Sequence, residues 1–207
     1  MHRSRKNSIV HQFFFWYINF IIKRDFSSYS FNPIDIKEDE AVLLLSNHFS
    51  WWDGYLMVYL NNRVFKKNFH VLVTGDDYNR HWFLKYFGAF APENKGKDVV
   101  ETLLYAGQLL DDPSNLVLLF PQGRLYSGHV GSISFEKGVM QVLNASKKKF
   151  QIVFSATVSD YFSKRKPEIR SYLTTWEAEE YTSLQLLKSQ YNKHYDQAIR
   201  TQSKIAV

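Results

Sequence analysis

Short runs of apolar residues alternate with segments of helical periodicity along most of this chain of 207 residues. The apolar runs have the length of single strands and cover residues 41–47, 69–74, 115–120 and 151–157. Helical spacing occupies residues 52–62, 77–87, 97–110 and 135–147, and a strand-like segment at 168–174 precedes a final helix at about 179–201. Uninterrupted apolar strands are typical of a sheet covered by helices on both faces. The alternation therefore predicts an α/β fold.

The composition narrows the class of protein. A hydrophobic fraction of 45% supports a buried core, and no repeat or interior linker divides the chain, so we predict one domain. The chain has no cysteine, which excludes disulfides, thiolate metal sites and a cysteine nucleophile. The seven histidines are scattered and form no H-E-x-x-H motif, so the sequence predicts no metal site.

The positive charge is concentrated at the start of the chain. Residues 1–24 contain five basic and no acidic residues, against a net charge of +6 for the whole chain. The remainder is close to neutral and shows no basic stripe, which argues against nucleic acid as a partner. A basic, apolar N-terminus favours an anionic membrane surface instead.

Residues 9–22 form the longest mostly apolar stretch. As a helix they would extend about 21 Å, which is short of the roughly 30 Å of a bilayer's hydrocarbon core. A narrow polar stripe runs along this helix, formed by Arg5, Ser8, Gln12, Asn19 and Lys23. We therefore predict an amphipathic membrane-associating helix over residues 1–24 and a second unit over 25–207. The alternative is a helix docked on the core, and one helix can do both with different faces.

The segment from Asn47 to Gly54 lies where the first strong strand ends and a helix begins, at the edge of the predicted sheet where ligands usually bind. A turn there allows the carboxylate of Asp53 to reach one imidazole nitrogen of His48. The other nitrogen then accepts a proton from an alcohol, so His48 and Asp53 are candidates for a catalytic pair, although a histidine and an aspartate at this spacing occur by chance in many proteins. The alternative is that Asp53 caps the following helix. Trp51 and Trp52 either form a wall of the ligand site near His48 or belong to the core.

A second candidate segment, Phe120-Pro121-Gln122-Gly123-Arg124, also follows a buried strand. Pro121 ends the strand, Gly123 lets the backbone approach a ligand, and Arg124 offers a fork of donors for phosphate. Taken alone, the segment is better explained as an ordinary turn with a surface arginine.

Together the two segments resemble the glycerolipid acyltransferase family that includes lysophosphatidic acid acyltransferases. Asn47, His48 and Asp53 match its N-H-x-x-x-x-D motif, residues 120–124 are similar to its F-P-E-G-T-R motif, and Phe135 and Gly138 are similar to its F-x-x-G. The resemblance covers residues 41–157, and residues 1–24 are similar to the family's membrane-associated helix.

The resemblance implies a single-domain acyltransferase fold with a mixed sheet flanked by helices, at the cytoplasmic face of a membrane. It implies acyl-CoA or acyl-carrier-protein as the donor, membrane lipids as partners, and no metal or other cofactor. His48 would be the general base and Asp53 its orienting partner. Asn47, Gln122, Gly123 and Arg124 would bind substrate. No oligomeric state follows from it.

Several positions depart from the family's motifs. Gln122 replaces the usual glutamate and loses its charge, and Arg124 stands one place early. Residues 91–94 (APEN) lack the arginine that commonly follows the second motif, and residues 152–155 lack the fourth motif's proline. The missing arginine and the added Glu93 favour an acceptor without phosphate, such as an amino-acid lipid, a glycolipid or another amphipathic alcohol. A phosphate-bearing acceptor held by Arg124 and lysines is the other possibility. A catalytically silent lipid-binding protein with the same fold is the competing interpretation.

Overall fold

The computed structural model describes residues 1–4, 8–177 and 182–206. The helices in these ranges are α1 (Ser8–Asp25), α2 (Asp53–Arg63), α3 (Gly75–Arg80), α4 (Lys97–Leu109), α5 (Gly138–Ala145) and α6 (Leu184–Gln202). The strands are β1 (Ser28–Phe31), β2 (Ala41–Ser46), β3 (Asn68–Leu72), β4 (Ala89–Phe90), β5 (Asn115–Leu119), β6 (Phe150–Asp160) and β7 (Glu168–Trp176). A short 3₁₀ helix covers Leu84–Phe87.

The seven strands form one sheet in the order β1-β7-β6-β2-β5-β3-β4. Every neighbouring pair is parallel except β6 and β7, which form an antiparallel hairpin. The predicted α/β fold with a mixed sheet and flanking helices is confirmed. The central strands β2 and β5 are buried along their whole length, which explains their uninterrupted apolar sequences.

Helices cover both faces of the sheet. On one face, α4, α5 and α6 contribute residues such as Ala106, Val142 and Tyr191 to a buried cluster with β2, β5 and β6. On the other face, α1 and α2 contribute Ile18 and Leu56 to a second cluster. The result is a three-layer sandwich, with the sheet between two layers of helices and the connecting loops at the two edges of the sheet.

Some elements differ from the sequence prediction. The expected helix at 77–87 is two pieces, α3 and the 3₁₀ helix, separated at residues 81–83. Strands β1 and β4 were not predicted, because four and two residues are too short to show a clear pattern. The final helix begins later, at Leu184, where the side chain of Ser183 accepts a hydrogen bond from the Leu186 N–H. Part of its predicted start, residues 179–181, lies outside the described residues.

Helix α1 presents different residues to the core and to solvent. Ile18, Ile21 and Ile22 are buried, whereas Phe13 and Trp16 are 58% and 62% exposed. The predicted polar stripe includes Arg5 and the side chain of Ser8, which lie outside the described residues. No helix in the described part of the chain has the length and apolar character needed to cross a bilayer. The division at residue 24 into a membrane-associating helix and a catalytic unit stays a prediction.

Candidate active site

The strand order brings the two predicted segments together. Strand β2 lies between β6 and β5, and all three run in the same direction. Their carboxyl ends therefore meet at one edge of the sheet, with His48 just after β2 and Gln122 just after β5. The backbone N–H of His48 donates a hydrogen bond of 2.6 Å to Gln122 Oε1, which joins the two segments directly.

His48 and Asp53 are in contact across the turn between β2 and α2. His48 Nδ1 lies 2.8 Å from Asp53 Oδ2. The same oxygen accepts hydrogen bonds from the backbone N–H groups of Phe49 and Ser50, at 2.7 and 2.8 Å. The contact is local, because Asp53 is the first residue of α2 and its carboxylate folds back over the turn that precedes the helix. His48 Nδ1 then carries the proton, and Nε2 is left as the acceptor.

The Asp53 carboxyl group is almost completely buried, with an exposed side-chain fraction of 1%, whereas that of His48 is 22%. Burial raises the pKa of Asp53, and the hydrogen bonds from His48, Ser50 and Phe49 oppose that rise. The position at the start of α2 also favours the ionised carboxylate. Burial thus opposes ionisation of Asp53, whereas the three hydrogen bonds and the helix position favour the carboxylate form that pairs with the partly exposed imidazole.

Neighbouring residues hold the imidazole ring in place. Phe120 stacks on His48 with ring centroids 4.1 Å apart and planes inclined by 15°. The His48 carbonyl accepts a hydrogen bond from the Tyr126 N–H at 3.1 Å. The ring is thus fixed at its edge by Asp53 and on its face by Phe120, which leaves little freedom for Nε2.

The side chains of Asn47 and Gln122 are buried and form hydrogen bonds with backbone groups of neighbouring segments. The Asn47 amide donates to the Thr157 carbonyl and accepts from the Thr157 N–H, both at 2.8 Å. This pair ties the end of β2 to β6. Gln122 Oε1 is occupied by the His48 N–H, and neither side chain lines the neighbouring cleft. Their predicted contact with substrate stays a prediction, while the structure gives both a positioning role.

Gly123 and Arg124 do line the cleft in which His48 lies. Gly123 has a φ of +67°, and an added Cβ there would come within 3.0 Å of Glu136 Cγ. Arg124 donates from Nε to the Tyr126 hydroxyl at 2.8 Å, and its side chain is exposed. The two predicted acceptor-site residues are therefore in the same cleft as the histidine.

The cleft has a volume of about 1110 Å³ and extends from His48 between α2, β3 and α4. This is slightly larger than the range of about 300–1,000 Å³ found for small-molecule pockets. Its charged lining residues are Asp76, Asp77, Glu93, Lys95, Arg124 and Glu136. Glu93 pairs with the N-terminal amine at 3.2 Å, so three other carboxylates face two cations. The cleft is more acidic than basic.

A second, apolar pocket of about 790 Å³ lies between α1 and the start of α2. It is lined by aromatic residues that include Phe13, Trp52 and Trp82. Trp51 and Tyr55 line both this pocket and the cleft, so the two adjoin. Trp51 is 54% exposed, whereas Trp52 packs edge-on against Phe26 and does not line the cleft. Trp51 thus fits the predicted wall, and Trp52 fits the alternative as a packing residue.

Sequence reasoning missed two features of this site. The first is the stacking of Phe120 on His48, because the sequence indicates Phe120 only as part of a motif. An aromatic residue one place after a buried strand is nevertheless well placed to stack on a neighbouring loop. The second is the contact between Glu136 and Gly123. No local sequence pattern indicates this contact, because the loop that joins β5 to α5 brings the two residues together. Among the described residues, no group of three or more metal-binding side chains is close enough to hold a metal ion.

No protein-family model matches the sequence, and no curated protein matches it. Among solved structures, the chain is similar to the crystal structure of the 1-acyl-sn-glycerophosphate (LPA) acyltransferase PlsC from Thermotoga maritima. The TM-score is 0.66 at 14% sequence identity, and the match covers 94% of this chain and 82% of that chain. A likeness at this identity shows that the two chains share the acyltransferase fold, and the activity has to be argued from the site.

Proposed function

We propose that this protein is an O-acyltransferase that moves a fatty acyl group from a thioester donor to an amphipathic alcohol. One observation carries the proposal. The imidazole of His48, with Nδ1 bound to Asp53 and Nε2 left as an acceptor, lines a large cleft at the carboxyl edge of the sheet. The shared fold with a lysophosphatidic acid acyltransferase supports it.

The geometry supports general-base catalysis without a covalent enzyme intermediate. His48 Nε2 takes the proton of the acceptor hydroxyl as its oxygen attacks the thioester carbonyl. Asp53 keeps Nδ1 protonated and stabilises the imidazolium that forms. When the tetrahedral intermediate collapses, the carbon–sulfur bond breaks and the thiolate leaves with the proton from His48. The products are an ester and a free thiol, and the donor is acyl-CoA or acyl-carrier-protein.

For the acceptor, the charge of the cleft favours a head group without a phosphomonoester. The carboxylates of Asp76, Asp77 and Glu136 outnumber the cations of Lys95 and Arg124, and a phosphate would be repelled more than attracted. The acceptor is therefore a lysolipid or related alcohol whose head group is neutral or carries an amine.

A membrane surface is the proposed place of reaction. The exposed aromatic residues Phe13 and Tyr17 of α1, together with Trp51 and Trp82, border the apolar pocket that adjoins the cleft. Such residues favour the boundary between lipid headgroups and acyl chains. Lipid substrates could then reach the cleft without leaving the bilayer.

The test is thiol release from acyl-CoA and from acyl-carrier-protein, with a bacterial lipid extract as the acceptor pool. The chain has no cysteine, so a thiol reagent meets no background from the protein. We expect release that requires the extract and that falls about 10²–10⁴-fold in His48→Ala. Mass spectrometry of the lipids then identifies the acceptor.

The matched control is His81→Ala, which removes another histidine that lines the cleft but makes no ion pair with a carboxylate in the described part of the chain. Release unaffected by His48→Ala, or absent with both donors, would contradict the proposal and favour a silent lipid-binding protein. Much faster acylation of lysophosphatidic acid than of uncharged acceptors would overturn the acceptor class alone.

A further inference from the structure

The hairpin of β6 and β7 projects beyond the strands that carry the site. Ser155 of β6 pairs with Ser46, the last residue of β2, but β6 continues to Asp160. At about 3.3 Å per residue, these five additional residues extend roughly 16 Å past the end of β2. The loop 161–167 therefore lies at the same edge of the sheet as His48 and extends beyond it.

The residues of this loop are basic and exposed. Lys164, Arg165 and Lys166 follow one another, and residues 161–167 include no acidic side chain. Lys164 pairs with Glu168. Arg165 makes no ion pair within the described part of the chain, and the aromatic side chain of Tyr161 is 60% exposed. A loop that only connected two strands would need neither three consecutive cations nor an exposed tyrosine.

The end of α1 lies beside this loop. The Ser27 N–H donates a hydrogen bond of 2.9 Å to the Pro167 carbonyl. The pKa of Asp25 is lowered, mainly by its hydrogen bond with Arg24 and also by the charge of Lys166. The loop and the end of α1 thus form one continuous basic surface, in which five cations adjoin two carboxylates: Lys23, Arg24, Lys164, Arg165 and Lys166 with Asp25 and Glu168.

We infer that loop 161–167 is a second membrane contact, which binds anionic phospholipid headgroups and, together with α1, turns the mouth of the cleft toward the bilayer. Lysine and arginine near an anionic leaflet contribute favourably to binding, and tyrosine favours the interface. One helix lying in the interface leaves the domain free to rotate about the helix axis. A second contact at the sheet edge that carries His48 removes that freedom. The inference rests on the proposed membrane-lipid function, but the surface lies outside the cleft.

The experiment measures vesicle binding by the full-length chain. Sedimentation is compared on vesicles of phosphatidylcholine alone and on equimolar phosphatidylcholine and phosphatidylglycerol. The double variant Arg165→Gln/Lys166→Gln should bind anionic vesicles roughly 30-fold more weakly, because each cation near the surface contributes about 1 kcal/mol. Binding to phosphatidylcholine should not change. At about 1 M salt the difference between variant and wild type should disappear.

The control is Lys147→Gln/Lys149→Gln, which removes the same charge from an exposed connection between α5 and β6. That connection precedes β6 and therefore lies at the opposite edge of the sheet. If both double variants lost the same amount of binding to anionic vesicles, the effect would come from net charge alone, and the inference would be overturned. Unchanged binding in the loop variant, or no anionic preference in the wild type, would also overturn it.

The enzymatic proposal is tested separately. His48→Ala should bind vesicles like the wild type while losing thiol release. The loop variant should keep thiol release on acceptors dispersed in neutral detergent micelles. If vesicle binding depends on the loop but release never occurs, the membrane contact stands and the acyltransferase function fails.

Discussion

Asp53 combines a structural and a proposed catalytic role in one carboxylate. Its Oδ2 atom accepts hydrogen bonds from two backbone N–H groups and contacts His48 Nδ1. Its other oxygen is buried and finds no hydrogen-bond partner among the described residues. Because a buried carboxylate with an unsatisfied oxygen is unfavourable, the site holds Asp53 ionised at a cost in stability.

This cost predicts a pH dependence for Asp53→Asn. Since burial raises the pKa of Asp53 above its unfolded value, its contribution to stability is full below the unfolded pKa and is lost as the pH rises through the folded pKa. Asparagine does not ionise, so the Asp53→Asn variant does not lose this stability as the pH rises. Denaturant unfolding should therefore show the variant gaining stability relative to the wild type as the pH is raised from about 4, the ordinary pKa of an aspartate, toward neutrality, while thiol release falls about 10²–10⁴-fold.

The same measurement in a His48→Gln background provides the control. Without the imidazole, the hydrogen bond that lowers the pKa of Asp53 is lost, so the dependence should become stronger. A stability difference between Asp53→Asn and the wild type that stays constant across this pH range would contradict the account.

Helix α1 has two faces with separate tasks. Ile18 and Ile22 pack into the cluster between the helix and the sheet, with exposed fractions of 1% and 3%. Trp16 stacks on Phe20, with ring centroids 5.8 Å apart, on the exposed side. Each predicted alternative for this segment therefore has residues that fit it: one face of the helix is docked on the core, and the exposed aromatic side chains of the other fit the proposed membrane contact.

Substitutions on the two faces should separate these tasks. Ile18→Ala leaves a cavity and should lower the free energy of unfolding by about 2–5 kcal/mol, measured by urea denaturation. Trp16→Ser removes exposed apolar surface, so it should leave stability within about 0.5 kcal/mol and weaken vesicle binding about tenfold. If Trp16→Ser bound vesicles as well as the wild type, the exposed face of α1 would not be the surface that contacts the membrane.

At the scale of the whole molecule, the cleft and the apolar pocket adjoin, and we propose that they form one route for a hydrocarbon chain. Trp51 and Tyr55 line both, and the pocket opens beside the exposed residues of α1. A hydrocarbon chain that enters beside α1 would therefore pass Trp51 before it reaches His48. Trp52 lies next to it in sequence but supports the packing of α2 on Phe26.

The two neighbouring tryptophans make a matched pair of variants. Trp51→Ala should raise KM for long-chain donors or acceptors severalfold and leave short-chain substrates unaffected, because it removes a wall of the route. Trp52 borders only the apolar pocket and packs on Phe26, so Trp52→Ala should mainly lower stability, by up to about 3 kcal/mol, and should change KM less than Trp51→Ala does. Steady-state kinetics over a series of chain lengths distinguishes them, and a reversed pattern would assign the route to Trp52.

Local patterns in the sequence were enough for the class of fold and for the contact at the centre of the site. Uninterrupted apolar runs identified the buried strands β2, β5 and β6, because a strand covered on both faces has no polar side. The His48–Asp53 contact was also predictable, since five residues across one turn restrict the geometry strongly. The catalytic roles of these residues stay predictions.

Tertiary structure decided everything that joins distant segments. The order of strands places β5 beside β2 and so puts Gln122 under the His48 backbone, a contact between residues 74 positions apart. It turned Asn47 and Gln122 inward, placed Glu136 against Gly123, and set the hairpin loop beside α1. Strand order and the buried face of a helix depend on which surfaces exclude water together, and no local pattern of hydrogen bonds or hydrophobicity specifies that partner.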